Sequence, residues 1–199
     1  MFNNEELEKV KEKALNEHIP IVMDETLEEI KKILIKENPT RILEIGTAVG
    51  YSACQFAKFA ENAIIDTIEL DEERYNEAKI NIKNIGFENR INLYLGNAVE
   101  ILPQFNSEYD IIFIDANKGK YPFFLKEAIR LVKNNGIILA DNILYKGYVM
   151  GDYNKHKQRT AVRNLREYIK EATENAILDT QILEVGDGLS VTRKIKHID

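Results

Sequence analysis

Short apolar runs alternate along the chain with longer stretches whose apolar residues recur every three or four positions. Five runs, Arg41–Ile45, Ile64–Glu69, Ile91–Leu95, 110–114 and 136–140, are rich in Ile, Leu and Val. They lack the in-out alternation of a half-exposed strand, which predicts parallel strands covered on both faces. The stretches between them read as helices. Asp71 suits the N-cap of one in which Tyr75, Ala78, Ile82 and Ile85 share a face, with Gly86 placed to stop it. Another spans 121–133, with Phe124, Ala128 and Leu131 inward. Two amphipathic helices, 5–17 and 25–36, precede the first strand and join at Ile19-Pro20. Two closing strands, 181–185 and 189–195, are linked by Gly186-Asp187-Gly188, which suits an antiparallel hairpin. The whole predicts an α/β domain: a doubly wound, mostly parallel seven-stranded sheet with an antiparallel C-terminal hairpin and N-terminal helices. It is read as a single domain, residues 1–199, with helices over 1–38 and the Rossmann-like core over 39–199.

Composition narrows this little. With 199 residues, 44% apolar and 30% charged, the chain is an ordinary globular one, large enough to bury a substantial core. No apolar run approaches the roughly 20 residues that span a bilayer, so no membrane role is expected. The charged N-terminus has no signal-peptide core, and the single cysteine, Cys54, fits a reducing cytoplasm. Cys54 lies beside Ala53 and Phe56 in a helix-like stretch and is read as buried filler. A net charge of −6 argues against a protein that coats nucleic acid with its whole surface. A local basic segment does exist: residues 155–170, KHKQRTAVRNLREYIK, hold six Lys or Arg and one Glu. A solvated helix face explains it as readily as a binding patch.

The strand ends carry the chemistry. In doubly wound sheets ligands gather outside the carboxyl ends of the strands. The run IIFID ends at Asp115, and GIILADN ends at Asp141 and Asn142 about 26 residues later. Two carboxylates and an amide are hard oxygen ligands that suit an octahedral Mg²⁺, or another divalent cation such as Mn²⁺ or Ca²⁺. Such an ion lowers the pKa of an oxygen nucleophile. Lys118 follows Asp115 by three residues, and a lysine next to a metal and partly desolvated should lose its proton more easily, which fits a general base. A surface lysine is the plainer alternative. In LEIGTAVGYSA, a strand runs into a glycine turn and then a helix. A dinucleotide fingerprint needs glycine at 46, 48 and 51, but the chain has Gly46, Ala48 and Tyr51. Glu44 there suits a cationic ligand better than a pyrophosphate. Glu69, closing the second strand, is placed for the hydroxyls of a ribose. Glu44, Gly46, Gly50 and Glu69, with Gly96-Asn97-Ala98 near an adenine, together describe a site for S-adenosylmethionine.

These residues carry a resemblance. In HIPIV, LEIGTAVGYSA, IELD, FIDANKGKY, ADNILYKG and VGDGL the chain resembles the cation-dependent O-methyltransferases of the class I S-adenosylmethionine-dependent superfamily. The resemblance implies a methyltransferase with Asp115, Asp141 and Asn142 on the metal and Lys118 and Asp115 in catalysis. It implies cofactor contacts from Val22, Glu44, Gly46, Thr47, Ser52, Glu69, Asn97, Ala98 and Asp115, and a homodimer. Two departures stand out. The family's usual Gly-Asp-Ala is Gly96-Asn97-Ala98 here, which keeps a carbonyl acceptor. The extra carboxylate by which catechol enzymes hold a second hydroxyl is matched by Gln181. The likeness is greatest to the bacterial branch that methylates 5-hydroxyuridine in the tRNA wobble position, which makes tRNA the expected partner and Arg159, Arg163 and Arg166 its expected phosphate contacts. A small catechol-type acceptor is the alternative. A nicotinamide-dependent oxidoreductase and a non-catalytic nucleoside-binding protein are the readings from other classes.

Overall fold

The computed structural model describes residues 2–151 and 159–195. The chain packs as two compact units, Met1–Gln104 and Phe105–Asp199.

The first unit opens with helices α1 (Asn4–Asn16) and α2 (Asp24–Glu37), then alternates β1 (Arg41–Ile45), α3 (Tyr51–Phe59), β2 (Ile64–Glu69), α4 (Glu72–Ile85), β3 (Ile91–Leu95) and the short α5 (Ala98–Ile101). The strands pair in parallel, β1 with β2 and β2 with β3. Their boundaries are those the apolar runs predict. α4 also starts and stops as predicted. Asp71 accepts the Arg74 N–H at 2.9 Å, and Gly86 takes the left-handed conformation (φ 93°) that ends the helix. α1 is capped by Asn3, whose side chain accepts from Glu5 and Glu6 and whose N–H is bonded to Ile85 O. Arg90 closes the other end of α3 by donating to the carbonyls of Ala57, Ala60 and Glu61. Cys54 is fully buried, as expected of filler. One expectation fails. β3 is not covered on both faces, since Tyr94 and Leu95 are exposed; it is an edge strand.

The second unit runs β4 (Tyr109–Ile114), α6 (Tyr121–Leu131), β5 (Val132–Ala140), α7 (Arg159–Glu174), β6 (Leu178–Leu183) and β7 (Leu189–Lys194). β4 and β5 are parallel, while β7 lies antiparallel to β5 and β6, which is the predicted hairpin. The seven strands form one mixed, mostly parallel sheet in the order β3-β2-β1-β4-β5-β7-β6, as expected.

Three elements depart from the predicted bounds by more than one residue. α6 ends at Leu131, and β5 begins at once with Val132 rather than at Gly136. Tyr109 pairs with Val132 and Ile111 with Ile137, so the intervening residues bulge opposite Asp110. Asn135 there has φ 66°. Gly136 is required by crowding, because a Cβ would sit 2.7 Å from Val132 Cγ2 and 2.9 Å from Asp110 O. β6 lies at 178–183 rather than 181–185, since its register is set by pairing with β7 and not by its own apolar pattern.

The bulge yields a prediction. Gly136→Ala must shift backbone, and should destabilise the protein by about 1–3 kcal/mol in urea unfolding without a change in m. Unchanged stability would mean that the bulge relaxes freely.

Candidate functional site

The predicted site residues fall into two sets, one in each unit. In the first unit they surround the glycine turn between β1 and α3. Glu44 is wholly buried and accepts a hydrogen bond from Thr67 Oγ1 at 2.5 Å. Thr67 Oγ1 is 2.6 Å from Thr47 Oγ1. Thr67 has one proton and gives it to the carboxylate, so Thr47 donates in the second bond. Glu44 and Thr47 thus support the turn from within. The turn is left-handed at three positions, Gly46, Ala48 and Gly50, with φ of 103°, 47° and 83°, and only Ala48 is strained by it. Each step of it is tied from outside. Gly46 N–H donates to Ile68 O, Ala48 N–H to Glu69 Oε2 (2.7 Å), and Asn81 Nδ2 to Val49 O (2.9 Å). Gly50 lies against Ala78 and Ile82 of α4.

Glu69 also accepts the Asp71 N–H, at 2.9 Å, and a carboxylate with one bond on each oxygen keeps lone pairs for two ribose hydroxyls. Asn97 is exposed and caps α5, with Oδ1 accepting the Val99 N–H at 3.0 Å, which leaves that oxygen a second lone pair. Ala98 begins α5, Ser52 is half-buried in the first turn of α3, and Val22 is buried just before α2.

In the second unit, Asp115 follows β4 and Asp141-Asn142 follow β5, as predicted. Asp141 is 1% exposed. Its Oδ1 accepts the Asn142 N–H at 2.7 Å, whereas its Oδ2 is buried with no hydrogen-bond partner. Burial, and then the charge of Asp115, push the Asp141 carboxyl up to about 7. Burial also raises Asp115, with the Lys118 ammonium opposing it. Lys118 Nζ donates to Asn142 Oδ1 at 3.0 Å and stands 5.5 Å from the centre of the Tyr145 ring. Asn142 has φ 55°, a left-handed conformation that turns its side chain back towards Lys118. Thus all four predicted acid, amide and lysine residues meet. Among the described residues no group of three or more His, Cys, Asp or Glu is placed to hold a metal ion; the oxygens that meet here come from two carboxylates and an amide. An orphaned buried carboxylate oxygen beside a second carboxylate fits a divalent cation, which would satisfy both without a further protein ligand.

Sequence reasoning missed the residue that holds these two strand ends together. Tyr121 is fully buried, and its hydroxyl donates to Asp141 O at 2.8 Å, with Ile114 O at 3.4 Å. Its ring packs edge-on against Tyr168 of α7, 5.6 Å between centres. The available signal was a tyrosine hydroxyl on an otherwise apolar helix face, which must find a partner when buried. α7 also reaches the Lys118 turn through Asn164, which donates to Gly119 O. Of the basic segment, residues 155–158 lie outside the described residues. Arg159 and Arg163 are exposed. Arg166 is instead turned onto the loop after Asn142, donating to Val149 O and Gly151 O.

Residues 2–195 match the family model described as O-methyltransferase. A catechol O-methyltransferase of Niastella koreensis is 32% identical over 149 residues, 72% of this chain and 66% of that enzyme. Caffeoyl-CoA O-methyltransferase 2 of Populus trichocarpa is 32% identical over 80% of this chain and 68% of its own. A Staphylococcus aureus crystal structure, titled as a candidate caffeoyl-CoA O-methyltransferase, superposes with TM-score 0.88 at 34% identity, covering 94% of this chain and 91% of that one. The chain therefore belongs to the O-methyltransferase family. It is an S-adenosylmethionine-dependent O-methyltransferase with the class I fold. The S-adenosylhomocysteine-bound methyltransferase PaMTH1 of Podospora anserina, 26% identical with TM-score 0.84 over 96% of this chain and 87% of its own, agrees. The oxidoreductase and non-catalytic readings fall with this result. No described helix is long and apolar enough to cross a membrane.

The Asp141 environment predicts a pH dependence. Its folded pKa of about 7 exceeds the unfolded value near 4, so between them the folded state binds the extra proton. In excess EDTA, stability should fall as pH rises from about 4 to 7 and then level off. Asp141→Asn should remove most of that fall, a gain of about 1–4 kcal/mol at pH 8. Parallel stability curves for the two proteins would refute the burial argument.

Proposed function

We propose that the enzyme methylates an acidic hydroxyl whose neighbouring carbon bears a second oxygen, and that its acceptor is 5-hydroxyuridine in the wobble position of tRNA. The observation that carries the first half is the buried Asp115–Asp141 pair with an orphaned Asp141 oxygen and Lys118 at its edge. Asp115, Asp141 and Asn142 would hold a divalent cation, Mg²⁺ by their oxygen chemistry, which when bound supplies positive charge to an ionising hydroxyl. Lys118, in its neutral amine form, receives the hydroxyl proton and becomes the ammonium, the oxygen takes the methyl group of S-adenosylmethionine, and neutral S-adenosylhomocysteine leaves. Glu69 holds the ribose of the donor, Asn97 and Ala98 meet its adenine, and the Gly46–Gly50 turn lets backbone approach it. Glu44 and Thr47 keep that turn in place. Residues 1–199 serve this one reaction as a single methyltransferase domain; a cytoplasmic location and a homodimer belong to the same reading.

The RNA half rests on the sequence likeness and on Arg159 and Arg163, exposed one turn apart on α7, the helix whose Asn164 reaches the Lys118 turn. A second reading has its own support: relatives at 32% identity carry the names of catechol and caffeoyl-CoA enzymes. A vicinal diol offers the same two oxygens. Incubating the enzyme with Mg²⁺, labelled S-adenosylmethionine and either hydroxyuridine-containing tRNA, catechol or caffeoyl-CoA separates them. Label in tRNA is the expected result, and turnover of the small acceptors alone would transfer the reading to them.

Two predictions follow from the assigned roles. Lys118→Ala should lower kcat by about 10²–10⁴-fold. A loss rescued at high pH would mean that the cation alone ionises the hydroxyl, and unchanged rates would remove Lys118 from the chemistry. Reversing Arg159 and Arg163 to Glu should abolish tRNA methylation and flatten the salt dependence of the residual tRNA binding, while S-adenosylhomocysteine binds normally. Normal tRNA methylation by that variant would dismiss the arginines as phosphate contacts.

A further inference from the structure

The loop after Asn142 is conformationally expensive. Asn142, Tyr145, Lys146 and Gly147 all have positive φ, at 55°, 43°, 57° and 76°. Non-glycine residues in that region persist only where surrounding structure over-determines them. The start of the loop is pinned by the β6–β7 hairpin. Ile143 N–H donates to Gly188 O at 3.0 Å and Leu144 N–H to Asp187 O at 2.9 Å. Gly188 is so close to Leu144 that a Cβ would overlap the leucine side chain. The far end of the loop is pinned by Arg166. Its Nε donates to Val149 O at 2.9 Å, and its Nη2 to Gly151 O at 2.5 Å and Tyr148 O at 3.5 Å. Three of the five guanidinium protons therefore go to loop carbonyls. Between the pins stand Tyr145 and Tyr148, edge to face at 5.8 Å, with the Tyr145 ring beside the Lys118 amine.

We propose that Arg166 is a positioning residue for the methyl acceptor. It acts through this loop, holding the Tyr145–Tyr148 wall against the Lys118 end of the site rather than binding phosphate. The proposal rests on the reading of Asp115, Lys118, Asp141 and Asn142 as the acceptor's site, but not on the acceptor being RNA. The planar fork of arginine matches three carbonyls in one turn, and a lysine, though equally charged, is a single point that cannot. Charge and positioning can thus be separated by substitution.

The test compares Arg166→Lys and Arg166→Gln, using whichever acceptor the wild type methylates, tRNA or catechol. Both variants should lose about tenfold or more in kcat/KM for the acceptor. Their affinity for S-adenosylhomocysteine should stay within about twofold of wild type. With tRNA, the salt dependence should keep its wild-type slope, unlike that of the Arg159 and Arg163 reversals. Gly147→Ala is the second variant, because Gly147 has φ 76° and open space around a Cβ, so it strains the same loop without touching Arg166. It should show the same acceptor-specific loss. The proposal is overturned if Arg166→Lys behaves as wild type while Arg166→Gln fails with a flattened salt slope. It is equally overturned if Arg166→Lys and Gly147→Ala leave acceptor kinetics unchanged. An inactive wild type on both acceptors would count against the functional reading itself.

Discussion

Keeping the Asp141 carboxylate buried beside Asp115 is the constraint on which the second unit depends. An ionised carboxylate out of water costs several kcal/mol unless its lone pairs and charge are met. Here they are met in part: one oxygen has the Asn142 N–H, the other has nothing, and Lys118 supplies positive charge nearby. A fully satisfied carboxylate would have little to gain from a cation, so the incompleteness is what makes the site a candidate for one. It also means the two acids repel, and the backbone must resist their separation. Tyr121 does this by bonding Asp141 O, beside the bond from Asp141 N–H to Ile114 O, so both strand ends are fastened where the charges stand. Strain and unpaired charge accumulate here because the rest of the unit is well packed enough to hold them.

The first unit solves a different problem with a different device. A ligand with a ribose and an amino-acid head needs backbone at close range, and close range needs left-handed turns. Three such residues lie within five positions, one of them alanine. The turn is stable because Ile68, Glu69, Thr67 and Asn81 each bond a successive part of it. Glu69 ties Ala48 and Asp71 with one bond on each oxygen, so under the proposed function turn geometry and ribose recognition would share one carboxylate. In both units the reactive or binding atoms are contributed by loops, and their precision by the strands and helices behind them.

What could be read from residues alone was whatever local chemistry settles. β1, β2 and β3 have the bounds of their apolar runs, and Asp71 and Gly86 cap α4, because a run of branched side chains, an N-cap and a left-handed stop act over a few residues. The acidic strand ends were legible for the same reason: an apolar run that halts at a carboxylate is conspicuous, and parallel topology puts such halts on one side. Reading β3 as covered went wrong because coverage is a property of neighbours, and β3 is an edge. The onset of β5 went wrong because the bulge at 133–136 exists only to reconcile pairing with β4. The bonds of Arg166 to the loop carbonyls were not legible because helical spacing says which side of α7 a residue is on, not which carbonyls lie within its reach.

By itself, then, the sequence determined the class of fold, the identity of the acids, amide and lysine, and the family to which they belong. These follow from side-chain type and order along the chain, which short-range sterics and hydrogen bonding translate directly into elements. Only the tertiary structure decided that Asp141 keeps one oxygen without a partner, that Tyr121 ties two strand ends and that Arg166 faces the loop. Those facts depend on the distance and desolvation of groups far apart along the chain, and burial in a low-dielectric interior is a collective result that no single stretch of chain encodes.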